Sequence, residues 1–238
     1  QEQEDAREEV TEVAPGVLRM ELPIRMPGLG HVNCYALVDG DGVALVDPGL
    51  PGPATFKALT ERLRQADLAV RNVHTVIVTH SHPDHFGGAS RLAKEAGAKV
   101  IAHRDFRFGV ADPKHAEPEV SVDDLAAQRE GEGSPPPAKA RPRRLRGGEP
   151  SWKAHSKTPW GGESPRPPFR MRMRYRMMHW IGRAGFMPEV TDTVEAGDVL
   201  RLAGREFFVV HTPGHTEDHI CLHDPAEGVF LAGDHVLP

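Results

Sequence analysis

The sequence predicts an α/β fold in which two β-sheets pack face to face with helices outside. An antiparallel meander opens the chain, strands and helices alternate after it, and short strands recur from about residue 193. Sequence motifs at strand ends are spread over the whole chain and must converge, so we expect one domain over residues 1–238. No run reaches the roughly 18 apolar residues of a membrane span. Cys34 and Cys221 form no CxxC pattern, which favours a reduced cytoplasm.

The first half of the chain is predicted to contain five strands and two helices. The helices cover residues 55–66 and 88–96. The first is predicted because Phe56 and Leu59 begin a run of apolar residues at helical spacing. The second ends at Gly97, a plausible left-handed cap. The predicted strands are 17–22, 33–38, 43–46, 73–79 and 98–102, with a glycine-containing hairpin turn at 39–42.

The second half is predicted to form a further sheet, preceded by a basic Pro/Arg-rich insertion over residues 126–185. Between Lys139 and Arg176 there are twelve Lys and Arg against two acidic residues, a charge of +10, whereas the whole chain carries −5. Flexible backbone is predicted for the first part of this insertion. A helix is predicted over 169–182, because Met and Arg are good helix formers. Residues 1–10 are predicted to be frayed. The predicted strands of this half are 199–202, 206–210, 220–222 and 229–231.

A cluster of metal-binding side chains follows the predicted strand 73–79. His80, His82, Asp84 and His85 fall within six positions. His80 and His82 lie two residues apart, so on extended backbone both point to the same side. A proline then turns the chain, so that Asp84 and His85 emerge in another direction. This arrangement suits two adjacent metal ions.

Two more motifs place candidate ligands at strand ends. His215 stands in Thr-Pro-Gly-His-Thr and Asp234 in Gly-Asp-His, and each motif follows an apolar strand-like run. Loops at strand ends carry function on a rigid scaffold. The glycines at 87 and 88 let the backbone fold closely after the first cluster.

These motifs resemble those of the metallo-β-lactamase superfamily of metal hydrolases. The resemblance also includes Asp47, in Ala-Leu-Val-Asp-Pro-Gly. It implies a four-layer αβ/βα sandwich, to which the basic insertion is added. It further implies that one metal is bound by His80, His82 and His215, and that the second is bound by Asp84 and His85, with Asp234 bridging.

The resemblance implies a hydrolase in which two metals share a hydroxide and one polarises the scissile oxygen. Zinc is the expected metal, because imidazoles and carboxylates are its usual ligands, with iron or manganese as alternatives. Asp47 and Asp84 are the candidate catalytic residues. Asp47 is expected to hold a ligand imidazole by its other nitrogen. Its alternative role is that of a turn aspartate at a strand end.

One ligand of the family pattern has no counterpart. The second metal normally takes a further histidine late in the chain, yet the sequence ends at Pro238 and His235 is expected to point away from Asp234. We therefore expect either a truncated chain or an incomplete second site. His219 could approach the site, and His31 could line the cleft.

An Asp at the bridging position, where many zinc β-lactamases have Cys, resembles the glyoxalase-II-like branch. This implies cleavage of a thioester or ester bond, and the basic insertion favours a small anionic substrate. The ending Gly-Asp-His-Val-Leu-Pro resembles a widespread bacterial group of hydrolases. One alternative is a phosphodiesterase or nuclease, since the basic insertion would fit phosphate backbones. The others are a β-lactamase and a catalytically impaired metal-binding scaffold.

Overall fold

The computed structural model describes residues 4–26, 29–107 and 187–235, together with Met173. These residues belong to one compact unit. Its helices are α1 (Pro53–Gln65), α2 (Pro83–Phe86) and α3 (Ala89–Ala96). Its strands are β1 (Thr11–Ala14), β2 (Val17–Met26), β3 (Leu29–Asp39), β4 (Gly42–Val46), β5 (Val73–Ile77), β6 (Lys99–His103), β7 (Asp192–Val194), β8 (Val199–Leu202), β9 (Arg205–His211), β10 (Ile220–Asp224) and β11 (Val229–Leu231).

The strands form two sheets. The first has seven strands in the order β1-β2-β3-β4-β5-β6-β7. Its neighbours are antiparallel from β1 to β4 and parallel from β4 to β7. The second has four antiparallel strands in the order β11-β10-β9-β8. Because β4, β5 and β6 run in parallel, the loops that follow them meet at one edge of the first sheet.

Alternating residues of the first sheet build two cores, one on each face. Leu45 and Val76 are buried in the core that the sheet shares with α1 and α3. Val46 and Ile77 point the opposite way, into the core that includes Phe207 of the second sheet. A strand buried on both faces reads as a continuous apolar run, as β4 does from Val43 to Val46. The two predicted sheets therefore pack face to face, with helices on the outer face of the first.

The outer face of the second sheet is apolar along one row of paired residues. Val199 pairs with Phe208, Phe208 with His223, and His223 with Phe230. Val199, Phe208 and Phe230 are exposed. The described residues contain no helical layer on the outer face of the second sheet. The basic insertion and, apart from Met173, the helix predicted over 169–182 lie outside the described residues.

The predicted elements of the described part are present; strands 199–202 and 229–231 have the predicted ends, and the others differ at one or both ends. Helix α1 begins two residues early because Pro53 is favoured in the first turn, and Gly97 caps α3 with a φ of 71°. The strand predicted over 73–79 ends at Ile77. The turn expected at Pro83 is instead the start of the short helix α2. Strands β1 and β7 were not predicted.

The N-terminal segment is held in place where the sequence predicts fraying over residues 1–10. The backbone N–H of Arg7 donates to Glu21 Oε2 at 2.8 Å, and Arg62 Nη2 donates to the Arg7 carbonyl at 2.7 Å. His31 Nδ1 donates to the Glu4 carbonyl at 2.9 Å. Residues 4–7 are thus backbone partners of buried polar groups far along the chain, and residues 1–3 lie outside the described residues. Fraying over residues 1–10 stays a prediction. No helix in the described part of the chain is long and apolar enough to cross a membrane.

Replacing Gly87 by Ala is expected to destabilise the fold by about 1–3 kcal/mol, the usual cost of overpacking. A Cβ at this position would overlap the ring of Pro51 and would lie 2.5 Å from the Pro83 carbonyl oxygen. The matched control is Gly40→Ala in an exposed turn, where a Cβ meets nothing within 4 Å. Urea unfolding measures both changes. Equal stability of the two variants would contradict the close packing at Gly87.

Candidate metal centre

Loops from both sheets carry the candidate ligands to one edge of the sandwich. His80 and His82 lie between β5 and α2, and His85 lies in α2. His215 lies in the β9–β10 loop, and Asp234 follows β11 in a short 3-10 turn. The first three come from the first sheet and the last two from the second, so only packing of the two sheets brings them together.

The first set of donors converges on one point. His80 Nε2 and His215 Nε2 each lie 3.0 Å from His82 Nδ1. Asp234 Oδ2 lies 3.3 Å from His215 Nε2 and 3.8 Å from His80 Nε2. All four donor atoms lie within 4.8 Å of one another. The predicted same-side arrangement of His80 and His82 is confirmed.

The second set lies beside the first and shares Asp234. The other oxygen of this carboxylate, Oδ1, lies 3.2 Å from His85 Nε2. Asp84 Oδ2 lies 3.8 Å from the same nitrogen. Asp234 therefore faces the first set with Oδ2 and the second with Oδ1, which is the geometry of a bridging carboxylate.

Asp47 orients one imidazole of each set from behind. The backbone N–H and the hydroxyl of Thr79 donate to Asp47 Oδ1 and Oδ2 at 2.9 and 2.7 Å, and His85 Nδ1 donates to Oδ2 at 2.9 Å. Since the Thr79 hydroxyl hydrogen is used in this way, His80 Nδ1 donates to Thr79 Oγ1 at 3.0 Å. In the neutral form of each ring Nε2 is then the nitrogen without a proton, and it faces the centre.

The protonation of the first set follows from burial and crowding. Burial, followed by the neighbouring His85, lowers the pKa of His80 well below its usual range. Burial and His215 lower the pKa of His82 to about 4. Burial alone would raise the pKa of Asp234, but hydrogen bonds from His215 and His85 hold it far below its ordinary value. His80 and His82 are thus neutral imidazoles beside an ionised carboxylate.

This donor set fits a divalent cation. Three imidazole nitrogens and a carboxylate oxygen are preferred ligands of zinc and related ions, and converging lone pairs need a shared positive charge. His85, whose Nδ1 is held by Asp47, adds a donor to the second set. Burial opposes a proton on His85, yet Asp47 and Asp234 raise its pKa well above the usual value. The assignment of individual ligands stays a prediction.

The other candidate histidines are not among these donors. His31 is buried at 4% exposure and lies near Glu21 and the Glu4 carbonyl. His235 is exposed. His219 is fully buried and contacts the Asp234 backbone. Burial lowers the pKa of His219 to about 4.

Contacts that sequence reasoning missed join the two ligand-bearing loops. The N–H of Ile220 donates to the Thr79 carbonyl at 2.9 Å. The Ser81 hydroxyl donates to Asp218 Oδ1 at 3.0 Å. Asp218 is 4% exposed, and burial raises its pKa. Thr79 and Ser81 flank His80 in the sequence, but Asp218 and Ile220 lie beyond the Thr-Pro-Gly-His-Thr motif.

We expect Asp47→Asn to weaken metal binding at both sets by about 10- to 100-fold, the usual effect of removing a partner that orients a ligand. The new amide cannot accept hydrogen bonds from both Thr79 and His85. Asp67→Asn is the matched control, because Asp67 shares the positive φ (58° against 56°) and is exposed. Competition with a chromophoric chelator measures the affinities, and equal affinity in all three proteins would contradict the role of Asp47.

Comparisons with known proteins agree with this geometry. A UPF0173 metal-dependent hydrolase of Pyrococcus abyssi is 34% identical over 89 residues, which are 37% of this chain and 36% of that protein. A hydroxyacylglutathione hydrolase of Maricaulis maris is 42% identical over 48 residues, 20% of this chain and 19% of that protein. The matches thus span about a third or less of the relatives' own lengths.

The solved structures agree over a longer stretch. A metallo-beta-lactamase family protein of Thermus thermophilus superposes with a TM-score of 0.61 at 26% identity, covering 95% of this chain and 61% of that one. The family model of the metallo-beta-lactamase superfamily matches residues 27–238. This range contains Asp47, both donor sets, the second sheet and strands β3 to β7 of the first, and the chain belongs to the metallo-beta-lactamase superfamily.

Proposed function

We propose that this chain is a metal-dependent hydrolase that cleaves a thioester or ester bond in a small anionic substrate. One observation carries the proposal: Asp234 presents one oxygen to the three histidines of the first set and the other to His85. A carboxylate between two sets of donors suits a pair of divalent ions. When bound, such ions lower the pKa of water and polarise the oxygen of the bond to be cleaved.

The chain's own residues would hold and orient the reacting groups. Asp47 holds His85 Nδ1 directly and His80 Nδ1 through Thr79, so that each ring turns Nε2 to the place where an ion would bind. Asp84 is partly exposed beside His85, so its carboxylate is accessible both to a second ion and to substrate. We assign His80, His82, His215 and Asp234 to the first ion and Asp84, His85 and Asp234 to the second. Zinc is the metal proposed, with manganese or iron as alternatives.

The choice of bond rests on the bridging carboxylate and on one relative. The bridging position holds Asp234 rather than Cys, as in the glyoxalase-II-like branch that the sequence resembles. The hydroxyacylglutathione hydrolase of Maricaulis maris shares 42% identity over 48 residues with this chain. The preference for anions rests on the charge of +10 between Lys139 and Arg176, since a field of one sign raises on-rates for the opposite charge.

The same basic insertion favours a second candidate, hydrolysis of phosphodiesters. Lys and Arg supply most of the affinity of proteins for phosphate backbones. The two candidates share the metal centre and differ in the group that is attacked. Activity on β-lactams, or no turnover by a metal-loaded protein, would point to the β-lactamase or to the impaired scaffold instead.

The double variant His80→Ala/His82→Ala is expected to lose the first metal ion, because two of its four donor atoms disappear. Elemental analysis of protein purified without chelator measures the loss as metal per chain. His223→Ala is the control, since His223 lies on the outer row of the second sheet beside Phe230. Equal metal content in the double variant and the wild type would overturn the ligand assignment.

Replacing four arginines of the basic insertion with Gln is expected to lower kcat/KM for an anionic thioester and to leave kcat/KM for a neutral thioester unchanged. The four are Arg170, Arg172, Arg174 and Arg176. The difference should shrink with salt, because the screening length falls from about 10 Å at 0.1 M to about 3 Å at 1 M. Protein loaded with zinc, manganese or iron is assayed on both thioesters, a chromogenic phosphodiester and a chromogenic cephalosporin. Turnover of the phosphodiester alone would replace the first candidate by the second.

A further inference from the structure

His219 lies directly behind the bridging carboxylate, with both ring nitrogens occupied. It is fully buried. Its Nε2 lies 3.1 Å from the backbone nitrogen of Asp234, and its Nδ1 lies 2.8 Å from Thr212 Oγ1. The imidazole therefore joins the β9–β10 hairpin, which carries His215, to the turn that carries Asp234.

The direction of every hydrogen bond in this group can be derived. A backbone N–H only donates, so His219 Nε2 accepts from Asp234 and carries no proton. In the neutral ring the proton is then on Nδ1, which donates to Thr212 Oγ1. The Thr212 hydroxyl is left to donate to Cys221 Sγ at 3.3 Å, and the Cys221 thiol donates to the Ala232 carbonyl at 3.3 Å.

The chain of donations thus begins and ends in the same turn. It leaves from the N–H of Asp234 and returns to the carbonyl of Ala232, two residues earlier. Gly233, between them, has a φ of 53°, and a Cβ on it would lie 2.9 Å from His219 Nε2 and 3.0 Å from Thr79 Oγ1. The turn is therefore packed directly against the ring, with no room for a larger residue.

We propose that His219 is a positioning residue, which fixes the turn of Asp234 so that its carboxylate faces both donor sets. The inference rests on the proposed metal-dependent function. His219 is then not the further histidine that the second metal normally takes, because a ring with both nitrogens engaged has none left for a metal ion. His219 acts on the metal centre only through the backbone of Asp234.

Two substitutions at this position separate the two hydrogen bonds. In His219→Gln the amide oxygen reaches the site of Nε2 and can accept from Asp234, whereas in His219→Asn the shorter amide reaches only Thr212. We expect His219→Gln to keep a metal affinity close to that of the wild type. We expect His219→Asn to lose about 10- to 100-fold, the range for partners that orient ligands. His223→Gln, on the outer row of β10, is the control.

The tautomer of His219 tests the hydrogen bonds from which the positioning role is inferred. 15N NMR of the metal-free and the metal-loaded protein should find the proton on Nδ1 and none on Nε2. In cobalt-loaded protein the His219 ring should lack the direct ligand shifts expected of His80, His82 and His215. A proton on Nε2, ligand shifts at His219, or equal affinity losses in the Gln and Asn variants would overturn the proposal.

A failure of the proposed function can be distinguished from a failure of the positioning role of His219. If the wild type binds no divalent metal, the hydrolase proposal fails, and so does the role of His219 in metal affinity. The hydrogen-bond chain is still decided by the tautomer in the metal-free protein. If metal binds normally and the tautomer is Nδ1–H, but neither variant changes affinity, the positioning role is wrong and the proposed function stands.

Discussion

The metal centre depends on the hydrogen bonds of one buried carboxylate. Asp47, 2% exposed, accepts from the backbone and hydroxyl of Thr79 and from His85 Nδ1. Through Thr79 it also sets the tautomer of His80. One residue thus aims an imidazole of each donor set. Asp47 directly follows β4 and has a positive φ of 56°. Its backbone N–H donates to the Ile77 carbonyl of β5 at 3.0 Å.

The centre is equally a product of the contact between the two sheets. The core shared by Ile77 and Phe207 holds the sheets together, and the bond from Ile220 to Thr79 joins their loops at the site. Asp218 adds a second link through Ser81. Ions bound across this junction would stabilise the folded state, since metal binding free energy becomes folding free energy where the site is absent from the unfolded chain.

The sequence predicted the central elements well and their edges poorly. The strands with continuous apolar runs and the helix containing Leu59 were found because periodicity reports burial directly. Strands β2 and β3 are longer than predicted, since their outer residues are held by pairing with each other rather than by an apolar pattern. The Arg7 carbonyl accepts a hydrogen bond from Arg62, which is 55 residues away, and no local sequence pattern contains that contact.

The sequence alone determined which donors this protein has, in what order, and that each follows a strand, because ligand chemistry and strand patterning are properties of residue type and spacing. It could not assign roles to His31 or His219, which have the same residue type as the ligands. Tertiary structure made that distinction by giving both nitrogens of His219 to Thr212 and the Asp234 backbone. Hydrogen bonds are directional and short, so a histidine's role is decided by the atoms within about 3 Å of each ring nitrogen.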